Sequence, residues 1–239
     1  MRPVVIASNM LNEIDQLDCK GSWFDNVKRV ADGGILIVDT GSDDGTKEFF
    51  EEKMKEYKDK IVFLTDDIIL RRGYGPARNH LRQTSIQFFP HAHWCCYLDA
   101  DERIDPRDFH TFKFLKDYLA VNYDVIAFPR LNRLNKHTNE TKVDYHVHPD
   151  YQSRMTRLQS KLRYIRKLHE QIIDFSGVYA QLTNPKIHHF HRSTDPVKRD
   201  YIGKVCAKLH MEDDEYGHTY PEHHKEAHYR ELLEKEGLK

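Results

Sequence analysis

Short apolar runs recur along the first half of the chain: Val4 to Ser8, Ile35 to Asp39, Ile61 to Leu64, Trp94 to Leu98 and Val125 to Phe128. Each has the length of a strand, and the segments between them are long enough for helices, a rhythm that predicts βαβ units. Between the first two runs, Ile14, Leu17, Trp23, Phe24, Val27 and Val30 fall at helical spacing, with Gly21 as a point of interruption. The turn-rich stretch Thr40-Gly41-Ser42-Asp43-Asp44-Gly45 should open a helix near Thr46 that carries Phe49, Phe50, Met54 and Tyr57. Another begins at Tyr74, with Pro76 in its first turn. Strands joined by helical crossovers predict an α/β fold with a mostly parallel, twisted central sheet flanked by helices.

Beyond Phe128 the pattern changes. Residues 129–150 are rich in Asn, Arg, His and Thr with little periodicity and read as a long functional loop. Arg154 to Leu158 and Leu162 to Ile165 read as a pair of short strands, and Val178 to His189 as a segment that closes the sheet. Asp195 to Met211 reads as a helix with Pro196 in its first turn and Val197, Tyr201, Val205 and Leu209 on one face. From Glu212 the chain is charged and His-rich, a C-terminal helical extension. No repeat or linker divides the rest, so one domain over residues 1–211 followed by an extension over 212–239 is the expected organisation.

Composition narrows the function classes. Among 239 residues, 37 Lys and Arg face 38 Asp and Glu, a formal net charge of -1. That balance supplies no field to hold a polyanion, which argues against nucleic acid and anionic membrane as partners. The stretch Val4 to Ala7 is too short for a signal-peptide core, and no apolar run approaches the roughly 20 residues of a membrane-spanning helix. The expectation is a soluble cytoplasmic protein. Cys19, Cys95, Cys96 and Cys206 have no C-x-x-C spacing and read as reduced core residues, as do Trp94 and the Phe88-Phe89 pair.

In an open parallel sheet, ligands bind beyond the carboxyl ends of the strands, and the acidic motifs fall there. The second strand ends in Asp39 and the fourth in Leu98-Asp99-Ala100-Asp101-Glu102. Asp99 and Asp101 alternate in a segment read as extended, so their carboxylates share one side. Paired hard oxygen ligands suit Mn²⁺ or Mg²⁺ bridging a diphosphate. Asp39 is a candidate acceptor for a nucleobase; alternatively, Asp39 or Ser42 caps the following helix. The loop has neither the spacing of a P-loop nor G-x-G-x-x-G, which removes the main support for ATPase and dehydrogenase readings. His224 and His228 share a helix face without an H-E-x-x-H pattern and read as solvated surface. The basic stretch Arg154, Arg157, Lys161, Arg163, Arg166 and Lys167 is a candidate grip for phosphate or an anionic acceptor, although strand alternation divides it between two faces.

Three of these motifs together carry a resemblance. Val38-Asp39-Thr40-Gly41-Ser42-Asp43-Asp44-Gly45-Thr46, then Gly75-Pro76-Ala77-Arg78-Asn79, then Leu98-Asp99-Ala100-Asp101-Glu102 resemble, in order and spacing, the family 2 glycosyltransferases, whose nucleotide-sugar-binding fold is called GT-A. A looser likeness to the subgroup of lipopolysaccharide-core and related sugar transferases runs through Asp150 to Met155, His169-Glu170 and Ile187-His188-His189. The resemblance implies a nucleotide-sugar-binding half over 1–105 and an acceptor-side half over 106–211. It assigns Ser8, Asn9, Asp39, Arg78 and Asp99 to the nucleotide, Asp99 and Asp101 to the metal, and His189 to a further metal contact for which His188 and His191 compete. Glu170 is the implied acceptor-side base, with Asp150 and Asp144 behind it. The implied donor is a UDP-sugar by family habit, with GDP and TDP sugars open. The acceptor is a glycan or other hydroxyl, and the outcome inversion.

Two other readings remain. A nucleotidyltransferase or sugar-nucleotide pyrophosphorylase usually places a Gly-rich loop after the first strand, where Ser8 to Glu13 has no glycine. A non-catalytic nucleotide-sugar-binding protein would keep the fold. A D-x-D-x-[TV] phosphatase is disfavoured because Asp101 is followed by Glu102-Arg103.

Overall fold

β1 (Val4–Met10) is buried along its length except at Asn9 and pairs in parallel with β2 (Gly34–Asp39) on one side and β4 (Trp94–Tyr97) on the other. A strand flanked on both sides and covered on both faces must be apolar throughout, which the run from Val4 to Ala7 satisfies. The computed structural model of the chain describes residues 1–17, 19, 21–119, 122–133, 149–190 and 196–211. They fall into two compact units.

Of the described residues, those within 1–67, 80–162 and 174–190 form the first unit. Its nine-stranded sheet runs β3 (Ile61–Thr65), β2, β1, β4, β7 (Asp150–Arg157), β6 (Tyr123–Asn132), β11 (Ile187–His189) and β5 (Glu102–Ile104), with β10 (Val178–Gln181) also paired to β6. The four strands from β3 to β4 are parallel, whereas β7 runs antiparallel to both β4 and β6, and β11 to β5. The sheet is therefore mixed, not only the mostly parallel array expected. The segment expected to form a local pair with residues 162–165 instead enters the sheet as β7, placing Met155 opposite Cys96 on one side and Ile126 on the other. The two ends of the expected loop are strand, because β6 continues to Asn132 and β7 begins at Asp150, and residues 134–148 lie outside the described residues.

The helical pattern from Ile14 to Val30 is realised only as two short helices, α1 (Ile14–Leu17) and α2 (Trp23–Val27), on either side of Gly21 at φ 73°, while Asn9 and Met10 belong to β1. Ser22 caps α2 through its hydroxyl, which accepts from the Asp25 N–H. α3 (Thr46–Glu56) starts at Thr46 as expected. Trp23, Phe50, Trp94, Phe112 and Phe128 are the bulk of the core, each contributing about 2–3 kcal/mol by area removed from water. Cys95 and Cys96 are both buried, on opposite faces of β4, and none of the four cysteines is in a disulfide, but Cys19 is exposed. Phe89 is buried whereas Phe88 is 45% exposed, at the end of α5 (Tyr74–Phe88).

Of the described residues, those at 68–79, 163–173 and 196–211 form the second unit. α4 (Ile68–Arg72) leads into the start of α5, whose backbone approaches the antiparallel hairpin β8 (Arg163–Ile165) and β9 (Gln171–Ile173). A side chain at Gly75 would meet the Arg166 carbonyl oxygen at 2.4 Å, so only glycine fits there. Asn79 closes the contact by bonding both the N–H and the C=O of Tyr164 through its amide. α7 (Pro196–Met211) buries Ala207 and Leu209 but leaves Tyr201 exposed, so the face expected from Tyr201 and Leu209 is only partly covered. Among the described residues no helix is long and apolar enough to cross a membrane.

Candidate active site

The loops after β1 and β2 are sewn together. Asp39 is fully buried at the end of β2, and its carboxylate accepts from the N–H groups of Gly41 and Ser42, each at 3.0 Å, and from the Ser42 hydroxyl. Gly41 takes a φ of 110° in this turn, a conformation glycine adopts without strain. Asp39 thus organises its own loop; neither it nor Ser42 caps α3, whose N-cap is Gly45. Ser42 accepts through its hydroxyl from the Asn12 N–H, Asn12 and Asp43 exchange side-chain and backbone hydrogen bonds, and Thr46 accepts from the Glu13 N–H. Beside these, Ser8 is buried at the end of β1, and Asn9 turns a buried Oδ1 with no hydrogen-bond partner among the described residues. A buried acceptor of this kind is what a ligand N–H or O–H would satisfy.

The acidic motif is a turn and not an extended segment. The Glu102 N–H donates to the Asp99 carbonyl at 2.8 Å, closing a tight reversal between β4 and β5. Asp99 and Asp101 therefore meet different partners. Asp99 Oδ2 accepts from Arg154 Nη2 at 3.0 Å, while Asp101 Oδ2 lies 3.3 Å from His189 Nε2 on β11. Beneath the turn Glu102 is fully buried. It accepts from Arg154 Nη2 and from the Asp99 N–H, and Arg130 Nη1 lies 3.8 Å away. Burial pushes the Glu102 carboxyl above its ordinary range, against the opposing pull of Arg154. Arg130 in turn grips Asp150 at 2.8 Å.

The two histidines of β11 have different surroundings. His188 is engaged at both ring nitrogens: Arg133 Nε donates to its Nδ1 at 2.8 Å, and its Nε2 lies 3.0 Å from Asp105 Oδ2. Burial holds its pKa below the ordinary histidine value. His189 Nδ1 lies 2.7 Å from Asn132 Oδ1. An Nδ1–H donated to that oxygen would leave Nε2, which faces Asp101, as the ring atom able to ligate a metal, the arrangement in which a hydrogen-bond partner orients a metal ligand. Among the described residues no group of three or more His, Cys, Asp and Glu side chains converges on one point as a closed metal site.

Arg78 and Glu170 lie in the second unit. Arg78 is buried and its Nε donates to Glu170 Oε1 at 3.2 Å, while Glu170 keeps 22% of its side chain exposed. Glu170 follows His169, whose φ of 55° is unusual for a residue with a side chain. Asp144, His191, His224, His228 and the whole extension over 212–239 lie outside the described residues.

Sequence reasoning missed the roles of Arg154, Arg130, Glu102 and Asn132. Arg154 belongs to the basic stretch read from sequence as a candidate grip for phosphate or an anionic acceptor, yet it is buried against two carboxylates, and Arg157 pairs with Asp124 at 2.6 Å. The available signal was an arginine one position before Met155, on the strand that lies beside β4.

No family model matches the chain, and no curated protein sequence does. Solved structures do. A mannosyltransferase from Pyrobaculum calidifontis, PcManGT, in complex with GDP-Man and Mn²⁺, is 13% identical over 92% of this chain and 67% of its own, with a TM-score of 0.52. S. aureus TarS 1-349 in complex with UDP is 11% identical over 97% of this chain and 69% of its own, with a TM-score of 0.51. Against another S. aureus TarS chain, this protein spans only 42% of that chain's length. This chain has a GT-A-like fold, shared with PcManGT and TarS 1-349.

Proposed function

We propose that the protein is a family 2 glycosyltransferase that uses Mn²⁺ or Mg²⁺ to move a sugar, with inversion, from a nucleotide-sugar donor to a hydroxyl of a glycan or other acceptor. The observation that carries this reading is Asp101 Oδ2 facing His189 Nε2 at 3.3 Å, in a fold shared with proteins solved in complex with GDP-Man and Mn²⁺ or with UDP. The residues fit a divalent ion: a hard carboxylate oxygen and an imidazole nitrogen oriented by Asn132 supply two positions, leaving the others for phosphate oxygens and water. His189 is favoured over His188 because its Nε2 faces a carboxylate of the acidic turn, whereas that of His188 faces Asp105. A divalent ion bound there would stabilise the charge that grows on the departing nucleoside diphosphate.

The other roles follow the chemistry of the groups. Ser8, Asn9, Asp39 and Asp99 receive the nucleoside, with the orphaned Asn9 Oδ1 as an acceptor and Asp39 holding the loop that lies along the base. Arg78 assists nucleotide binding, and Glu170, kept partly exposed by its pairing with Arg78, takes the proton of the acceptor hydroxyl. The donor base is uridine by family habit, and the acceptor side lies within residues 106–211.

The test is release of nucleoside diphosphate from a panel of UDP-, GDP- and TDP-sugars with Mn²⁺, Mg²⁺ or EDTA. Metal-dependent release from one donor class, absent in Asp101→Ala, supports the reading. No release from any donor, from a protein shown to be folded, contradicts it.

A further inference from the structure

We infer that Asn79 is a positioning residue for the acceptor-side base: by clamping β8 to the first turns of α5 it fixes the hairpin loop that ends in Glu170. The inference rests on the reading of Glu170 as base given above. It also assigns a purpose to the whole Gly75-Pro76-Ala77-Arg78-Asn79 motif, of which that reading uses Arg78 alone.

The attachment begins where α5 begins. The first N–H groups of a helix have no partner within it. Those of Tyr74 and Gly75 donate to the carbonyls of Lys167 and Arg166 at 2.8 and 3.0 Å, so the loop between β8 and β9 caps the helix. The two backbones approach this closely because Gly73 and Gly75 lack side chains; a Cβ at either would strike the backbone of Lys167 or of Arg166. One turn further on, Asn79 takes the open edge of β8. Its amide donates to the Tyr164 carbonyl at 2.7 Å and accepts from the Tyr164 N–H at 2.8 Å, the pair of bonds that a neighbouring strand would otherwise make. Gly75 and Asn79 are four residues apart and so meet the hairpin from one side of the helix.

The loop needs this hold. Arg166 and His169 both have left-handed backbone, at φ 73° and 55°, conformations that residues with a side chain keep only where the surroundings enforce them. Glu170 follows directly, at the entry to β9, and Arg78 Nε meets its Oε1 at 3.2 Å. The helix start on the loop backbone, Asn79 on β8 and Arg78 on Glu170 together set where that carboxylate stands. Asn79 acts on the backbone of β8, so its influence on Glu170 runs through the hairpin.

The test is a double-substitution cycle over wild type, Asn79→Ala, Glu170→Gln and the two combined. It reads nucleoside diphosphate release with Mn²⁺ from UDP-, GDP- and TDP-sugars, water serving as acceptor, beside calorimetric affinity for UDP and GDP. Asn79→Ala should slow release at saturating donor by about tenfold or more, the cost of a small displacement of a reacting group, with nucleotide affinity within about twofold. In the Glu170→Gln background the same substitution should cost less than about twofold, since a base already lost cannot be misplaced. Equal fold losses in the two backgrounds, a release rate unmoved by Asn79→Ala, or a fall in nucleotide affinity as large as that in rate overturns the inference. Asn79→Asp keeps the acceptor for the Tyr164 N–H and removes only the other bond; it decides by the same criteria where Asn79→Ala does not fold. Glu170→Gln that releases as fast as wild type overturns the base assignment and the inference with it, whereas wild type that releases from no donor overturns the proposed function beneath both.

Discussion

His189 Nε2 lies 3.3 Å from Asp101 Oδ2, whereas the adjacent His188 turns its Nε2 to Asp105. Two consecutive histidines on a three-residue strand point to opposite sides, so one can meet the acidic turn while its neighbour braces the chain behind it. Substitutions at the two should therefore differ in kind. His189→Ala should lower metal-dependent turnover by about 100-fold, since each 1.36 kcal/mol of lost stabilisation is tenfold. His188→Ala should leave Mn²⁺ affinity within about twofold and instead destabilise the fold by about 1–3 kcal/mol, because it removes the hydrogen bonds that His188 makes with Asp105 and Arg133. Metal titration beside denaturant unfolding separates the two effects.

Asn132 has no direct part in the proposed chemistry but holds Nδ1 of His189 at 2.7 Å. Asn132→Leu should weaken Mn²⁺ binding about 10–100-fold without unfolding the protein, the usual cost of losing the partner that orients a ligand. Unchanged affinity would mean that the ring is aligned by its packing alone.

Glu170→Gln keeps the shape of the side chain and removes its basicity. Transfer to acceptor should fall by about 100-fold or more, within the range of general-base effects, while the Kd for nucleotide moves little. A parallel loss of nucleotide affinity would show that Glu170 acts through Arg78, whose Nε it holds.

Acid stability should report on Asp105. Hydrogen bonds from Arg107, followed by that from His188, hold its carboxyl far below the usual carboxylate range. A depressed folded pKa stabilises the protein above the unfolded value of about 3.9 and loses that contribution as pH falls toward the folded value. Wild type should thus be more stable than Asp105→Asn at pH 7, and the gap should narrow below about pH 4. Urea midpoints at a series of pH values measure it; a gap that stays constant across that range would contradict the assignment.

What the sequence revealed followed from how far each feature depends on distant partners. The strands β1, β2 and β4 were legible because burial on both faces demands continuous apolar runs, and Asp39 because it ends one of them. Gly21 showed where the first helical pattern breaks. The strands β5, β8 and β9 are three residues each, too short to show a period of two. The antiparallel insertion of β7 depends on which strand it finds beside it, which no local pattern encodes. Asp99 and Asp101 were found as a pair, but the turn that separates them was not, because it is closed by a backbone bond. The sequence shows Arg154 only as one of a run of basic residues, because its carboxylate partners Asp99 and Glu102 are 55 and 52 positions away.

Calorimetric titration of UDP, GDP and TDP, with and without Mn²⁺, into wild type and Asp101→Ala addresses the metal-dependent nucleotide site before any acceptor is known. Tight binding of one nucleotide only with Mn²⁺, lost in a folded Asp101→Ala variant, is the predicted result. Nucleotide binding that is indifferent to Mn²⁺ and to Asp101 would contradict it.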